Sequence, residues 1–302
     1  MNAALPTSIP EYLDRLRAAL AGADPALVQD ALYDAEEYLR SELSEHPGKS
    51  EAEVIAAVAG SYGAPDEVAD IYRDTEAKVQ VALRPPLPPK RRSLAGRFFG
   101  VAVDPRTYGS LFYMLLALAT GIFYFTWVVA GFSTALGMAV TVIGAPLLIL
   151  FFASVRILSL VEGRMVEAML GERMPRRPVY ADRDKPLLNR IGDLFTDPRM
   201  WSTMLYFLLM LPLGVAYFTV VVTLLCLAMA LIAMPIIAAL GFGNYLYVGG
   251  IGVPYAESWW WAWPLLAVSG VLLLLATLHL ARGVGHLHGS LAKHMLVRGS
   301  EG

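Results

Sequence analysis

Residues 94–129 read LAGRFFGVAVDPRTYGSLFYMLLALATGIFYFTWVV, and residues 187–222 read LLNRIGDLFTDPRMWSTMLYFLLMLPLGVAYFTVVV. The two stretches align without a gap at a constant offset of 93, with 15 identities in 36 positions. The shared residues include Asp104-Pro105-Arg106 with Asp197-Pro198-Arg199, Tyr113 with Tyr206, Gly121 with Gly214, and Tyr124 with Tyr217. Self-similarity this dense marks an internal duplication. Each copy opens with a short amphipathic lead-in. An aspartate then caps, a proline starts a helix, and an arginine can snorkel to the membrane surface. A long uncharged helix follows.

That helix decides the fold class. No charged residue occurs from Thr107 to Val155, nor from Met200 to Ala256. About 20 apolar residues cross a hydrocarbon core, so these runs are membrane spans. With 56% hydrophobic and 17% charged residues, the chain is too apolar for a soluble enzyme. The charges lie elsewhere. Residues 1–80 carry 6 Lys/Arg and 16 Asp/Glu, residues 81–200 carry 15 and 8, and residues 201–302 carry 3 and 2. An acidic head therefore precedes a basic membrane collar, and the overall charge of −2 conceals both. The single cysteine, Cys226, excludes an internal disulfide. The N-terminus lacks a basic region followed by an apolar core, so the first span is expected to direct insertion.

The expected class is all-α: a small helical head, residues 1–80, a linker, residues 81–93, and a four-span membrane domain, residues 94–302. The spans are placed at about 108–129, 136–158, 201–228 and 264–281. A turn near Gly131-Phe132-Ser133 closes the first hairpin. Arg156, Glu162, Arg164 and Glu167 then read as a helix leaving the membrane. Lys and Arg flank the first and second spans and follow the fourth. The loop near residue 131 and the segment 241–262 have none. Positive-inside counting thus puts both termini in the cytoplasm of an inner membrane. Asp104, Arg106, Arg156, Asp197, Arg199 and Arg282 mark its boundaries. The third uncharged run is too long for one span, because Trp201 to Leu240 as a helix would measure about 60 Å. Either the span ends near residue 228 and residues 229–262 cap the outer face, or residues 229–240 re-enter as a broken helix. The glycine-rich stretch 241–254 cannot be helix and must be shielded or wet.

In the head, Ser8 with Glu11 and Ser50 with Glu53 have capping-box spacing, and Asp24-Pro25 starts a helix striped with Leu27, Ala31, Ala35 and Leu39. Gly63 closes a third helix and Pro65 opens a fourth. Pro85 to Pro89 read as an extended spacer, with an SH3-type ligand as the other reading. The head resembles the helix-turn-helix-associated α-helical signalling domain, HAAS, through Tyr12-Leu13-x-x-Leu16, Gly63-Ala64-Pro65-Asp66-Glu67-Val68-Ala69 and the acidic helix Asp30-x-x-x-Asp34-x-Glu36-Glu37. Residues 95–298 resemble the four-helix membrane sensor domain of many bacterial histidine kinases. That likeness rests on Gly144-Ala145-Pro146-Leu147-Leu148, Leu211-Pro212-Leu213-Gly214, and two matching helix exits. The exits are Arg156…Gly163…Met169-Leu170 and Arg282…Gly289…Met295-Leu296.

No nucleophile, phosphate loop or paired carboxylate is evident, so neither a cofactor nor enzymatic activity is expected. His279, His286, His288 and His294 read as juxtamembrane polar positions. A metal site and a pH sensor are the competing readings. No ionisable group sits at membrane depth apart from helix ends, which argues against an ion pump or intramembrane enzyme. On the outer face, Tyr245, Tyr247, Tyr255, Trp259 and Trp260 surround Glu257. They form either an interfacial anchor or a cation–π site for an amphipathic ligand. The head's net charge repels nucleic acid. Asp30, Asp34, Glu36, Glu37, Asp66 and Glu67 suit a basic protein or the chain's own collar. The HAAS resemblance implies a PadR-type winged-helix regulator as the partner. The reading is a membrane signalling protein, in contact with lipid and open to homo-oligomerisation. The alternative is a structural or accessory subunit of a transporter complex.

Overall fold

Side-chain caps set the helix starts in the head. In a computed structural model of the chain, Ser8 accepts from Glu11 N–H, and Asp24 accepts from Ala26 N–H at 2.9 Å. The described residues are 6–83, 93–141, 143–177, 192, 196–240, 245–248, 251–254 and 261–297. Four head helices result: α1 (Ile9–Ala19), α2 (Pro25–Glu45), α3 (Glu51–Val58) and α4 (Pro65–Leu83). The Ser50–Glu53 box forms as expected, with both reciprocal bonds. The Ser8–Glu11 box forms only in half. Glu11 turns to Thr7, and Glu51 from α3 takes the Ile9 N–H at 2.7 Å instead. Tyr12, Leu16, Leu20, Leu39 and Ile55 fill the core beneath. The Tyr12 hydroxyl donates to Gly63 O at 2.8 Å, tying the first helix to the turn before the last.

Helix α5 (Leu94–Phe99) and a 3-10 turn (Gly100–Val103) lead into the membrane part. Its long helices are α6 (Pro105–Gly137), α7 (Gly144–Leu170), α8 (Pro198–Ala239) and α9 (Ala262–Leu296). All four are long and apolar enough to cross a membrane. Asp104 and Asp197 cap α6 and α8, each through the N–H of the following arginine. Between α8 and α9, Tyr245–Val248 and Ile251–Pro254 pair as an antiparallel β-ribbon, the one sheet among the described residues.

Two span boundaries differ from expectation. The turn placed near Gly131 is helical, and α6 continues to Gly137. The reversal falls after Met138, where a side chain on Gly144 would collide with the Met138 carbonyl. Nor does the third span break. Helix α8 is continuous for 42 residues, with Pro212 and Pro235 inside it. Leaving the helix among apolar surroundings would strand several backbone groups, whereas each proline forfeits one bond. Residues 229–239 are therefore helix, continuous with the residues before them.

The repeat packs against itself in an unexpected direction. Gly121 lies on the Met210 carbonyl, Gly214 lies on the Ala117 carbonyl, and any β-carbon at either glycine would overlap that oxygen. Because Ala117 and Gly121 fall on Met210 and Gly214 at the offset of 93, the contact is self-complementary, as a two-fold axis requires. Tyr124 stacks on Phe207 with centroids 4.4 Å apart, and Phe132 meets Trp201 at 6.1 Å. As the position rises along α6 it falls along α8, so the helices run antiparallel. Charge counting places Asp104 and Asp197 at one face, whereas packing sets them at opposite ends of the shared length. Each is met there by an arginine from the other copy's second helix: Arg282 reaches Asp104 at 3.1 Å, and Arg156 reaches Asp197 at 3.5 Å. The first hairpin exposes Ile122, Trp127 and Leu150, and the second exposes Leu227, Ile236 and Val268. Such surface suits lipid and not water.

Candidate functional site

A polar cage fills the junction of the two repeats. Helix α7 buries Glu162 completely, and α9 buries His288. Tyr113 and Tyr206, one from each copy, hold both. Tyr113 Oη lies 2.5 Å from Glu162 Oε1 and 2.7 Å from His288 Nε2. Tyr206 Oη lies 2.9 Å from each of the same two atoms. Tyr124 donates to Glu162 Oε2 at 3.0 Å, and Tyr217 meets His288 Nδ1 at 3.2 Å. Tyr113 with Tyr206 and Tyr124 with Tyr217 are the repeat's own pairs. The exit alignment that matches Arg156 with Arg282 also sets Glu162 on His288, at an offset of 126. The cage is two-fold symmetric except that its central pair is an acid and a base.

Its protons can be accounted for. Each tyrosine has one hydroxyl hydrogen. If Tyr113, Tyr124 and Tyr206 donate to the carboxylate and Tyr217 donates to Nδ1, a hydrogen on Nε2 is shared by the Tyr113 and Tyr206 oxygens. Every buried polar atom is then satisfied with a neutral imidazole, and a proton can pass between acid and base through one hydroxyl. Glu162, expected on a helix leaving the membrane, and His288, expected as a juxtamembrane polar position, are thus both buried members of one network. Among the other histidines, His279 bonds Phe98 O at 3.0 Å, while His286 and His294 are exposed. No group of three metal-ligating side chains forms among the described residues.

The second polar centre lies where head meets collar. After α7 ends at Gly171, Met174 inserts into the membrane-domain core against Gly163, the neighbour of Glu162. The residues beside it then face the head. Asp30 Oδ1 accepts the N–H groups of Arg176 and Arg177 at 2.7 and 2.8 Å, while Arg173 Nη2 reaches Oδ2 at 3.2 Å. Arg173 also pairs with Glu76 at 3.3 Å, and Arg177 Nε meets Asp34 at 3.0 Å. Gln29 donates to Arg177 O at 2.6 Å, and the Arg177 guanidinium lies over the Tyr33 ring. Lys293, near the end of α9, pairs with Asp24 at 2.6 Å. Burial pushes the Asp30 carboxyl up, against the two backbone donors and Arg173, which pull it down. Desolvation thus offsets much of the attraction, as in other buried ion pairs.

The acidic candidates divide accordingly. Asp30 and Asp34 enter the clasp. Glu36 pairs with Arg40 at 3.0 Å, Glu67 accepts from Ala64 N–H, and Glu37 and Asp66 are exposed on the head. The boundary residues Asp104, Arg156, Asp197 and Arg282 form the cross-repeat pairs. Arg199 donates twice to Leu296 O, and Arg106 is exposed. Tyr245 and Tyr247 fall on the first ribbon strand. Tyr255, Glu257, Trp259, Trp260 and the Pro85–Pro89 spacer lie outside the described residues. The cage was the feature missed, although its signal was present: both tyrosine pairs stand among the repeat identities.

Four apolar helices carrying a clasped helical head define a multi-pass membrane protein of the sensor class. The family model described as "Putative sensor" matches residues 113–296, more than half of the chain, and the chain belongs to that family. Residues 11–71 match the HAAS family model. Neither the curated proteins nor the solved structures hold a match to this chain.

Proposed function

We propose that the protein is a non-enzymatic signal transducer of a bacterial inner membrane, relaying an envelope or lipid cue to a cytosolic PadR-type transcription regulator. The head faces the cytoplasm. The collar's arginines and the polar end of α9 both reach the head, in keeping with the positive-inside rule. The observation that carries the reading is the clasp on α2. Asp24 binds α9 through Lys293, while Asp30, six residues on, binds the α7 exit. One head helix therefore bridges the elements that carry His288 and Glu162. A shift of α7 against α9 moves Met174 with Gly163 and strains the clasp. Burial works against the attraction that holds Asp30 to the collar, so a shift of α7 against α9 changes the fraction of heads released.

The test is co-purification of the full chain with the regulator encoded beside it, in mild detergent. A chain with Arg173, Arg176 and Arg177 changed to serine should capture more regulator than the wild type. No capture by either form, at low or high salt, would sink the proposal. Capture of transporter subunits in its place would favour the accessory-subunit reading.

A further inference from the structure

The clasp recognises more than charge. Asp30 reads two successive backbone N–H groups and Gln29 reads the carbonyl of Arg177, so α2 grips the collar's main chain on both polar sides. Asp34 and the Tyr33 ring read the Arg177 side chain, one by its Nε and the other by its face. Asp30 and Glu76, from two different head helices, read Arg173. Residues 171–177 have no helix or strand of their own, and the backbone bends at Arg176 and Arg177 so that two successive N–H groups meet one oxygen of Asp30. This is how a peptide site works: main-chain bonds supply affinity and flanking pockets supply specificity. Side-chain burial of 12% exposure or less at Arg173, Asp30 and Glu76 shows a seated ligand and not a solvated charge pair.

We infer that α2 and α4 of the head form a binding groove for a bent, arginine-rich segment of a partner protein, and that residues 173–177 are its resident occupant in cis. The partner presents two arginines four residues apart. The one nearer its N-terminus pairs with Asp30 and Glu76, and the other with Asp34 and Tyr33. Backbone N–H groups at and just before the second arginine meet Asp30. Partner and collar exclude each other, so the membrane domain controls access by holding or withdrawing its own segment. The inference rests on the head acting as the relay. It specifies the surface used and the chemistry that surface accepts.

The probe is a fluorescent peptide of residues 171–177, Gly-Glu-Arg-Met-Pro-Arg-Arg, titrated against the full chain in neutral detergent micelles. Its control has the three arginines replaced by glutamine. The chain carrying Arg173→Ser, Arg176→Ser and Arg177→Ser should bind the peptide at least about tenfold more tightly than the wild type, whose groove is filled. Adding Asp30→Ala to that chain should lower affinity about tenfold or more. Adding Glu36→Gln, an equal charge change off the groove, should leave it unchanged. Equal affinity with and without Asp30, equal affinity for wild type and collar variant, binding of the glutamine peptide, or no binding at all would each overturn the groove. Regulator capture is scored separately, so a peptide that binds without any regulator binding refutes the relay and leaves the groove standing.

Discussion

Removing the acid of the cage should cost about twice what removing the base costs. Glu162→Leu strands the Tyr124 hydroxyl, and because Nε2 of His288 carries the hydrogen shared by Tyr113 and Tyr206, one of those two hydroxyls also loses its acceptor while the other donates across the 3.4 Å between them. A buried polar group without a partner costs about 1–3 kcal/mol, so the expected loss is about 2–6 kcal/mol. His288→Leu strands Tyr217 alone, while Tyr113 and Tyr206 keep Glu162, for a loss of about 1–3 kcal/mol. The double variant strands the same three hydroxyls, so its loss should be the sum of the two. Equilibrium unfolding in mixed micelles of rising SDS fraction, followed by tryptophan fluorescence, measures all four species. A loss for Glu162→Leu no greater than that for His288→Leu would refute the shared-tyrosine network.

Other expectations concern packing and the clasp. Gly121→Ala and Gly214→Ala should each destabilise by about 1–3 kcal/mol, because the added carbon meets a carbonyl on the opposing helix. In an open helix the same change would stabilise by about 1 kcal/mol, so a gain in the same micelle assay would rule out the close crossing. With Cys226 replaced, cysteines at Phe132 and Trp201 should be joined by a short thiol crosslinker, whereas cysteines at Tyr108 and Trp201 should not; the reverse would show parallel repeats. Asp30→Ala should raise amide exchange at Arg176 and Arg177 by about 10–100-fold by mass spectrometry, and unchanged protection would mean those N–H groups are held otherwise.

Most of the scaffold was readable in the residues. Proline beside aspartate marked the starts of α2, α6 and α8, because a cap and a preset backbone angle act within one turn of chain. Helix ends were less legible. Gly131 resembles a turn residue, but among apolar neighbours a helix keeps its own hydrogen bonds, so α6 continued. The long third run kept its helix through Pro235 for the same reason. The direction of α8 relative to α6 was hidden, since charge counting senses the boundary of each helix and is blind to which carbonyl Gly121 will meet. The burial of Glu162 was hidden, because Arg156, Arg164 and Glu167 surround it in sequence. Its burial is decided by three tyrosines 38 to 49 positions away. Asp30 was singled out as a binding residue, and the collar was weighed as its recipient. The main-chain grip lay beyond reach, since no pattern of residue types encodes which N–H groups turn toward a carboxylate.

The unequal centre of the cage makes the two halves of this protein non-interchangeable. Two first hairpins packed in the same manner would confront Glu162 with its own copy, forcing two carboxylates into one dry site with donors for one. Two second hairpins would confront imidazole with imidazole and leave four phenol hydrogens without a carboxylate to receive them. Only the mixed pair closes the hydrogen-bond count. A first hairpin is therefore directed to a second one, its own or a neighbour's, and pairing of like hairpins between molecules is discouraged by chemistry at a single point.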